Sequence, residues 1–271
     1  AKRLPATIIA SPWPVLFKPS GSIVISNNGR WDSILVRLIT WLKGQKLIIP
    51  GQSGLGFDDR LNLYCFPDVF VSLTTAQNSW AQKINPYVKK AIIPNGVDLH
   101  KFTPAKFKPK KPIVGYVAAL YPEKRQELLI RAVAKTNANL LLIGDGPDKN
   151  RLTFLCQQLL PNRFEIKSVP HDLVSDICHL MSVFCYPTVP WESFGIAMLE
   201  AMACNLPVVA TDDPIRREIV GEAGLFATPE NLFSQIQKAL SIKWGNKPRQ
   251  QAEKYSWDKI AIQYQDLIKA L

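Results

Sequence analysis

A chain of 271 residues, 47% hydrophobic and 20% charged, is long enough to bury one large core or two modest ones. No window approaches the roughly 18 uninterrupted apolar residues of a membrane span, so a transmembrane protein and a disordered chain are both excluded. The net charge of +11 is lopsided: residues 1–108 hold 14 Lys/Arg against 5 Asp/Glu (+9), and residues 109–271 hold 19 against 17 (+2).

Such a basic half suits an anionic partner, a phospholipid surface or a phosphorylated substrate, unless it is only a solvated face that aids solubility. No helix-turn-helix, zinc-finger or RNA-recognition signature accompanies the charge, so nucleic acid is not an expected partner. Cys65, Cys156, Cys178, Cys185 and Cys204 are scattered, odd in number and never in a C-x-x-C pair. That usage points to a reducing, cytoplasmic setting rather than a disulfide framework or a zinc ribbon. The first residue is Ala1, and no signal-peptide pattern follows it, so the chain reads as a processed product or a piece of something longer.

Short β-rich runs come first, at 7–10, 22–26, 46–50 and 69–73, with helical patterns at about 32–43 and 74–84 between them. The stretch TPAKFKPKKP (103–112) then brings three prolines and four lysines, and it is taken as the domain boundary. Beyond it the alternation restarts. Strands are expected at 113–117, 139–143, 164–167, 183–186 and 207–210, and helices at 124–136, 148–159, 171–180 and 195–204. The continuously apolar run Leu140–Ile143 indicates a parallel sheet covered on both faces. The tail from Lys254 reads as one amphipathic helix with Ser256 as its N-cap.

Ligands of such a sheet bind outside the carboxyl ends of the strands. The most informative segment there is WESFGIAMLEAMACNLPVVAT (191–211), in which Glu192 and Glu200 are separated by seven residues. A helix beginning near Gly195 leaves the amides of Phe194, Gly195 and Ile196 as orphan donors beside the positive end of its dipole, a place for phosphate or a developing oxyanion. Carboxylates accept hydrogen bonds from vicinal hydroxyls, so the two glutamates suit a sugar ring. The plainer alternative is a dipole-stabilising Glu and an ordinary helical one.

ESFGIAMLEAMA resembles the Glu, seven residues, Glu signature of retaining glycosyltransferases of family 4, which have the two-domain GT-B fold. IPNGVDLHKFTP (93–104), PEK (122–124), LIGDGPD (142–148), SVPHD (168–172) and PVVAT with REIV (207–220) extend the resemblance in the family's order. The resemblance implies α/β architecture: two doubly wound, Rossmann-like domains, the N-terminal one incomplete. They would be an acceptor-side domain over 1–107 and a nucleotide-sugar donor domain over 108–271, the last helix packing back on the first. It also implies that Lys124 pairs with the nucleotide diphosphate and that the backbone of Ser193, Phe194, Gly195 and Ile196 cradles phosphate and sugar. Glu200 would hold the ribose hydroxyls, Glu192 the donor sugar, and Val169 with the loop of Gly144 and Asp145 the base.

Two departures stand out. The family's Gly-Arg before the lysine is replaced by Ala118 and Ala119, leaving Arg125 as the substitute guanidinium. The acceptor-side His is replaced by Gln52 or Ser53, neither of which is a base near neutral pH. Asn27, Asn28 and Arg30, between a strand and a helix, are further acceptor-side candidates, or simply an Asn-Gly turn. Asp58 and Asp59 read as solvated or capping, and Tyr64, Trp80 and Trp191 as core or cleft-wall aromatics. His100, His171 and His179 have no metal-site spacing and no D-x-D triplet occurs, so neither metal nor cofactor is expected.

The expected activity is metal-independent, retaining transfer from a nucleotide sugar to a sugar or lipid-linked acceptor, by a cytoplasmic protein peripheral to the inner face of the membrane. The alternative is a nucleotide-sugar-binding or scaffold protein that has lost transfer. An epimerase or phosphorylase on the same fold would need a further acid/base histidine or a cofactor lysine.

Overall fold

The computed structural model describes Val15, Phe17 and residues 19–26, 31–105, 109–190 and 192–271. The expected strand at 7–10, the candidates Asn27, Asn28 and Arg30, and Trp191 lie outside the described residues. Packing groups Ala1–Pro94 with Ile262–Leu271 in one unit, and Asn95–Ala261 in the other.

In the first unit the apolar runs become four parallel strands paired in chain order: β1 (Ile23–Ile25), β2 (Lys46–Pro50), β3 (Val69–Ser72) and β4 (Lys90–Ile92). Ile48 stands opposite both Ile25 and Val69 in the ladder. Leu47, Ile48, Ile49, Val69, Phe70 and Val71 are fully buried, as the strands of a covered parallel sheet must be. Between the strands run α1 (Trp31–Leu42), α2 (Phe57–Tyr64) and α3 (Thr75–Ile84). Val36 and Ile39 on α1, three residues apart, join Leu47, Ile49, Leu63 and Phe70 in one core. Thr74 caps α3 by accepting a hydrogen bond from the Gln77 amide at 3.2 Å.

In the second unit six parallel strands pair in the order β10-β9-β8-β5-β6-β7. These are β5 (Ile113–Val117), β6 (Asn139–Ile143), β7 (Phe164–Lys167), β8 (Val183–Tyr186), β9 (Val208–Thr211) and β10 (Gly224–Ala227). The chain lays β5, β6 and β7 outward in one direction, then returns to place β8, β9 and β10 on the other side of β5. The order therefore reverses between β5 and β8, and that switch point is where such sheets bind ligands.

Several expectations move. The units divide after Pro94, not near 108, because residues 97–102 are stitched to the end of the second unit. The Val97 amide donates to the Tyr255 carbonyl, and the Arg249 guanidinium donates to the carbonyls of Phe102 (2.6 Å) and Leu99 (3.1 Å). The helix expected at 124–136 is broken: a 3-10 turn spans Pro122–Lys124, Arg125 takes a left-handed conformation (φ 52°), and α4 begins at Gln126 (Gln126–Ala134). The run 171–180 is a 3-10 turn, His171–Leu173, followed by α5 (Val174–Cys178). Short β4 and glycine-led β10 gave no apolar run long enough to read. The tail helix spans Trp257–Lys269, with Ser256 Oγ accepting from the Lys259 amide and residues from Ile262 onward grouped with the first unit.

Candidate active site

Two of the expected residues meet at the switch point. Lys124 ends the turn that follows β5, and Glu192 lies in the loop that follows β8. Lys124 Nζ donates to Glu192 Oε2 at 2.5 Å, with both side chains about three-quarters buried. The Val189 amide donates to the Glu123 carbonyl, which docks the loop of the glutamate on the turn of the lysine. Thr188 Oγ1 also donates to Glu192 Oε2, at 3.4 Å.

The helix after this loop is α6 (Ile196–Ala203), and its N-cap Gly195 has φ 91°. A side chain there would bring both steric and backbone strain, since a Cβ would come within 2.8 Å of Met198 Cε and 2.9 Å of the Tyr186 hydroxyl. Phe194 is buried and meets the edge of Tyr255, which pins the segment entering the helix. Ser193 is half-buried, while Ile196, 46% exposed, stands at the cleft. The first amides of the helix therefore open toward the carboxyl ends of the strands, where an anion gains from the dipole.

One turn further along α6, the Glu200 carboxylate is almost wholly buried and shares a 2.8 Å hydrogen bond with His171 Nε2. His171 also has Lys101 Nζ 3.3 Å from its Nδ1 and the Phe102 ring against its edge, and Lys101 in turn pairs with Asp172 at 2.9 Å. Glu200, His171, Ile196, Lys101 and Trp257 border a cleft of about 840 Å³ within the second unit. The sequence presents this histidine only as a metal-ligand candidate without the right spacing. SVPHD marks its loop, but spacing alone does not show that positions 171 and 200 touch.

The GDGP loop closes on the segment after β5. Gly144, at φ 150°, lies so close that a Cβ would overlap the Ala118 carbonyl at 1.9 Å, and the Asp145 carbonyl accepts from the Leu120 amide. The Asp145 carboxylate is occupied by the Gly146 amide and by Lys149. Val169 is half-buried in the loop beyond β7. Arg125 is not brought to the ion pair: it borders a recess with Pro187, Thr211, Ala227 and Leu232.

On the first unit, Gln52 and Ser53 are both exposed in the loop after β2. Asp58 is half-buried, but the expectation of a solvated Asp59 fails. Asp59 is fully buried on α2, accepting from Asn62 Nδ2 (3.2 Å), Gln77 Nε2 (3.0 Å) and the Ser53 amide. Gln77 Nε2 also donates to the Gly51 carbonyl, and its Oε1 accepts from the Leu73 amide, so the carboxyl ends of β2 and β3 are tied together through this network. Burial pushes the Asp59 carboxyl up to about 7, against the pull of its three donors. Tyr64 is 55% exposed rather than a core aromatic, while Trp80 packs on the core.

The fold and this edge define a class: two Rossmann-like parallel sheets of the GT-B kind, with cation, carboxylate and helix N-terminus gathered at a switch point. HepE of Anabaena, solved with UDP, superposes with a TM-score of 0.78 at 17% identity, over 96% of this chain and 81% of that one. The pneumococcal O-GlcNAc transferase GtfA, solved with UDP and GlcNAc, gives 0.79 at 16%, over 95% and 58%. At such identities the likeness speaks for the fold alone.

Residues 100–257, more than half of the chain, match the family described as glycosyl transferases group 1, and the chain belongs to that family. A phosphatidylinositol N-acetylglucosaminyltransferase of Arabidopsis thaliana is 28% identical over 209 residues, 71% of this chain and 46% of the relative. The chain thus spans about half the length of that relative. Lys124, Glu192, Gly195 and Glu200 all fall inside the family match.

Proposed function

We propose that the chain transfers a glycosyl group from a nucleotide-diphosphate sugar to an acceptor hydroxyl with retention of configuration and without a metal ion. The observation that carries this reading is the Lys124–Glu192 ion pair at the switch point, beside the N-terminus of α6. A diphosphate arriving there takes the lysine's ammonium and the first helix amides. The Glu192 carboxylate, released from the lysine, is then left facing the donor sugar. Glu200, already oriented by His171, suits the ribose hydroxyls, and Val169 with the loop of Gly144 and Asp145 suits the base. As the bond from the anomeric carbon to phosphate oxygen breaks, the departing diphosphate gathers negative charge, which preorganised cations and amides stabilise. The acceptor oxygen attacks from the same face, and its proton passes to the departing phosphate oxygen.

The family match supports a glycosyltransferase, and the UDP complexes of the structural neighbours support a nucleotide sugar as partner. The acceptor is a sugar or a lipid-linked group, the latter favoured by the phosphatidylinositol in the relative's name and by the +9 of the first 108 residues. The protein would then work as a peripheral protein on the cytoplasmic face of an anionic membrane. No helix among the described residues is long and apolar enough to cross one. Part of the basic charge is already engaged: Arg37 and Lys46 both pair with Asp68, and Lys90 donates to the carbonyls of Asn85 and Val88.

A second reading, a nucleotide-sugar-binding protein that has lost transfer, is favoured by Ala118 and Ala119 in place of Gly-Arg and by the exposed Gln52 and Ser53 in place of His. Incubation with radiolabelled UDP-, GDP- and ADP-sugars separates the two. Release or transfer of label that survives EDTA is expected. Binding without release would favour the second reading, and activity lost to EDTA and restored by manganese would overturn metal independence.

A further inference from the structure

Arg216 is the largest side chain that is completely buried, and the transfer chemistry gives it no part. It lies on α7 (Pro214–Val220), whose N-cap Asp213 accepts from the amides of Ile215 and Arg216. A guanidinium shut away from solvent must find its hydrogen bonds in the protein, and this one directs most of them to a single loop. Nη1 donates to the carbonyls of Pro190 (3.2 Å) and Glu192 (2.9 Å), and Nη2 to the carbonyl of Val189 (3.2 Å). Its counter-charge is Asp213, whose Oδ1 lies 3.3 Å from Nη1, and the Tyr186 ring lies 5.9 Å beneath it. The same loop is fixed at its start, where Thr211 Oγ1 donates to the Thr188 carbonyl at 2.6 Å.

A buried ion pair is a poor device for stability alone, since well-packed apolar side chains in its place are often as good or better. Bonds to three carbonyls of one short loop are a good device for fixing where that loop presents its carboxylate, because several fixed donors leave the backbone little freedom to shift. We infer that Arg216 is a positioning residue for Glu192: it clasps the backbone of residues 189–192 so that the carboxylate is held at the switch point before the donor arrives. The inference rests on the proposed role of Glu192 toward the donor sugar.

It follows that Arg216 acts on turnover and not on nucleotide affinity, because the nucleotide's partners sit on Lys124, Glu200 and the start of α6. Small misplacements of a reacting-site group can cost on the order of 100-fold. Arg163 provides the comparison: it also clasps carbonyls, those of Thr136 (2.7 Å) and Ala138 (3.1 Å), but next to the amino-terminal end of β6, away from the switch point. The test measures kcat with radiolabelled nucleotide sugar, nucleotide-diphosphate Kd by calorimetry, and Tm, in four variants of the full chain: Arg216→Lys, Arg163→Met, Glu192→Gln and the Arg216→Lys, Glu192→Gln double variant.

Arg216→Lys should lower kcat by roughly 10- to 100-fold with Kd within about twofold. Arg163→Met should lower Tm and leave kcat unchanged. If Arg216 acts through Glu192, adding Arg216→Lys to Glu192→Gln should cost little more in kcat, a non-additivity that general destabilisation would not produce. Full kcat in Arg216→Lys, equal losses in kcat and affinity, or additive losses in the double variant would each overturn the assignment. Failure of Arg216→Lys to fold would also count against it, marking the residue as structural. Absence of turnover in the unaltered chain with every donor would instead defeat the transfer reading, and this role along with it.

Discussion

The carboxyl edges of the two sheets are built from opposite materials. Beyond β5 and β8 the side chains carry charge and pair across loops: Lys124 with Glu192, His171 with Glu200, Arg216 with the carbonyls of residues 189, 190 and 192. Beyond β2 and β3 a single buried carboxyl, Asp59, is wrapped by amides from Asn62, Gln77 and Ser53, and what faces outward is the exposed Gln52–Ser53 pair. The difference teaches what each edge is prepared to do. The first holds an internal ion pair that a ligand's own charges can replace. The second uses its buried charge to hold a loop in shape, which suits a neutral, hydroxyl-bearing ligand.

The largest effect should come from removing the cation. Lys124→Ala is expected to weaken nucleotide-diphosphate binding by roughly 10- to 100-fold, the range of a hydrogen bond to a charged group, measured by calorimetry. An unchanged Kd would mean that the helix amides alone hold the anion and that the charged edge is less important than its pairing suggests.

The two glutamates should separate next. Glu200→Gln is expected to weaken nucleotide binding by about 10-fold, because a ribose contact is made in ground and transition states alike. Glu192→Gln should lower turnover while nucleotide affinity rises by roughly two- to fivefold, since the Lys124 ammonium no longer has a carboxylate to leave. Affinity falling with Glu192→Gln and turnover falling with Glu200→Gln would exchange their roles.

A smaller effect probes the other edge. Native Asp59 keeps its proton up to about pH 7, whereas an unfolded aspartate releases it near 3.8. The native chain therefore binds more protons between those values, and its stability falls as pH rises through that window. Asp59→Asn removes this titration, so its Tm relative to the unaltered chain should improve by a few degrees between pH 5 and pH 8. Parallel Tm curves would show that this carboxyl is not the buried, proton-holding group described.

The weakest expected effect is attraction of the first 108 residues to anionic lipid, at on the order of 1 kcal/mol per basic residue near the surface. Binding to phosphatidylglycerol vesicles but not phosphatidylcholine, lost by about 0.5 M salt, is expected in co-sedimentation. Equal recovery in the supernatant with both lipids at low salt would leave the basic half as a solubility feature and favour a soluble acceptor.

How far the sequence can be read follows from where information is local. The alternation of β-rich and amphipathic runs locates most of the sheet strands and the helix at Ile196, because period and composition are carried within each run. The Glu192–Glu200 spacing points to the right edge for the same reason. What stays hidden depends on contacts between distant positions. Nothing in DD announces that Asp59 is buried and Asp58 only half-buried, and nothing in RRE announces that Arg216 turns inward while Arg217 pairs outside with Asp212. Arg125 reads as the start of a helix but takes a left-handed conformation between the 3-10 turn and α4, and that break carries it to another recess. The proline-lysine stretch looks like the domain division because composition changes there. Arg249, about 150 residues later in sequence, is what draws residues 99–102 into the second unit.

The central claim is that the second unit's switch point is a nucleotide-diphosphate site, and direct binding tests it best. Calorimetry and thermal shift with UDP, GDP and ADP should show one of the three binding and raising Tm in a concentration-dependent way, since a ligand of the native state alone stabilises it by mass action. Absence of heat and of any shift with all three at millimolar concentration would contradict the claim.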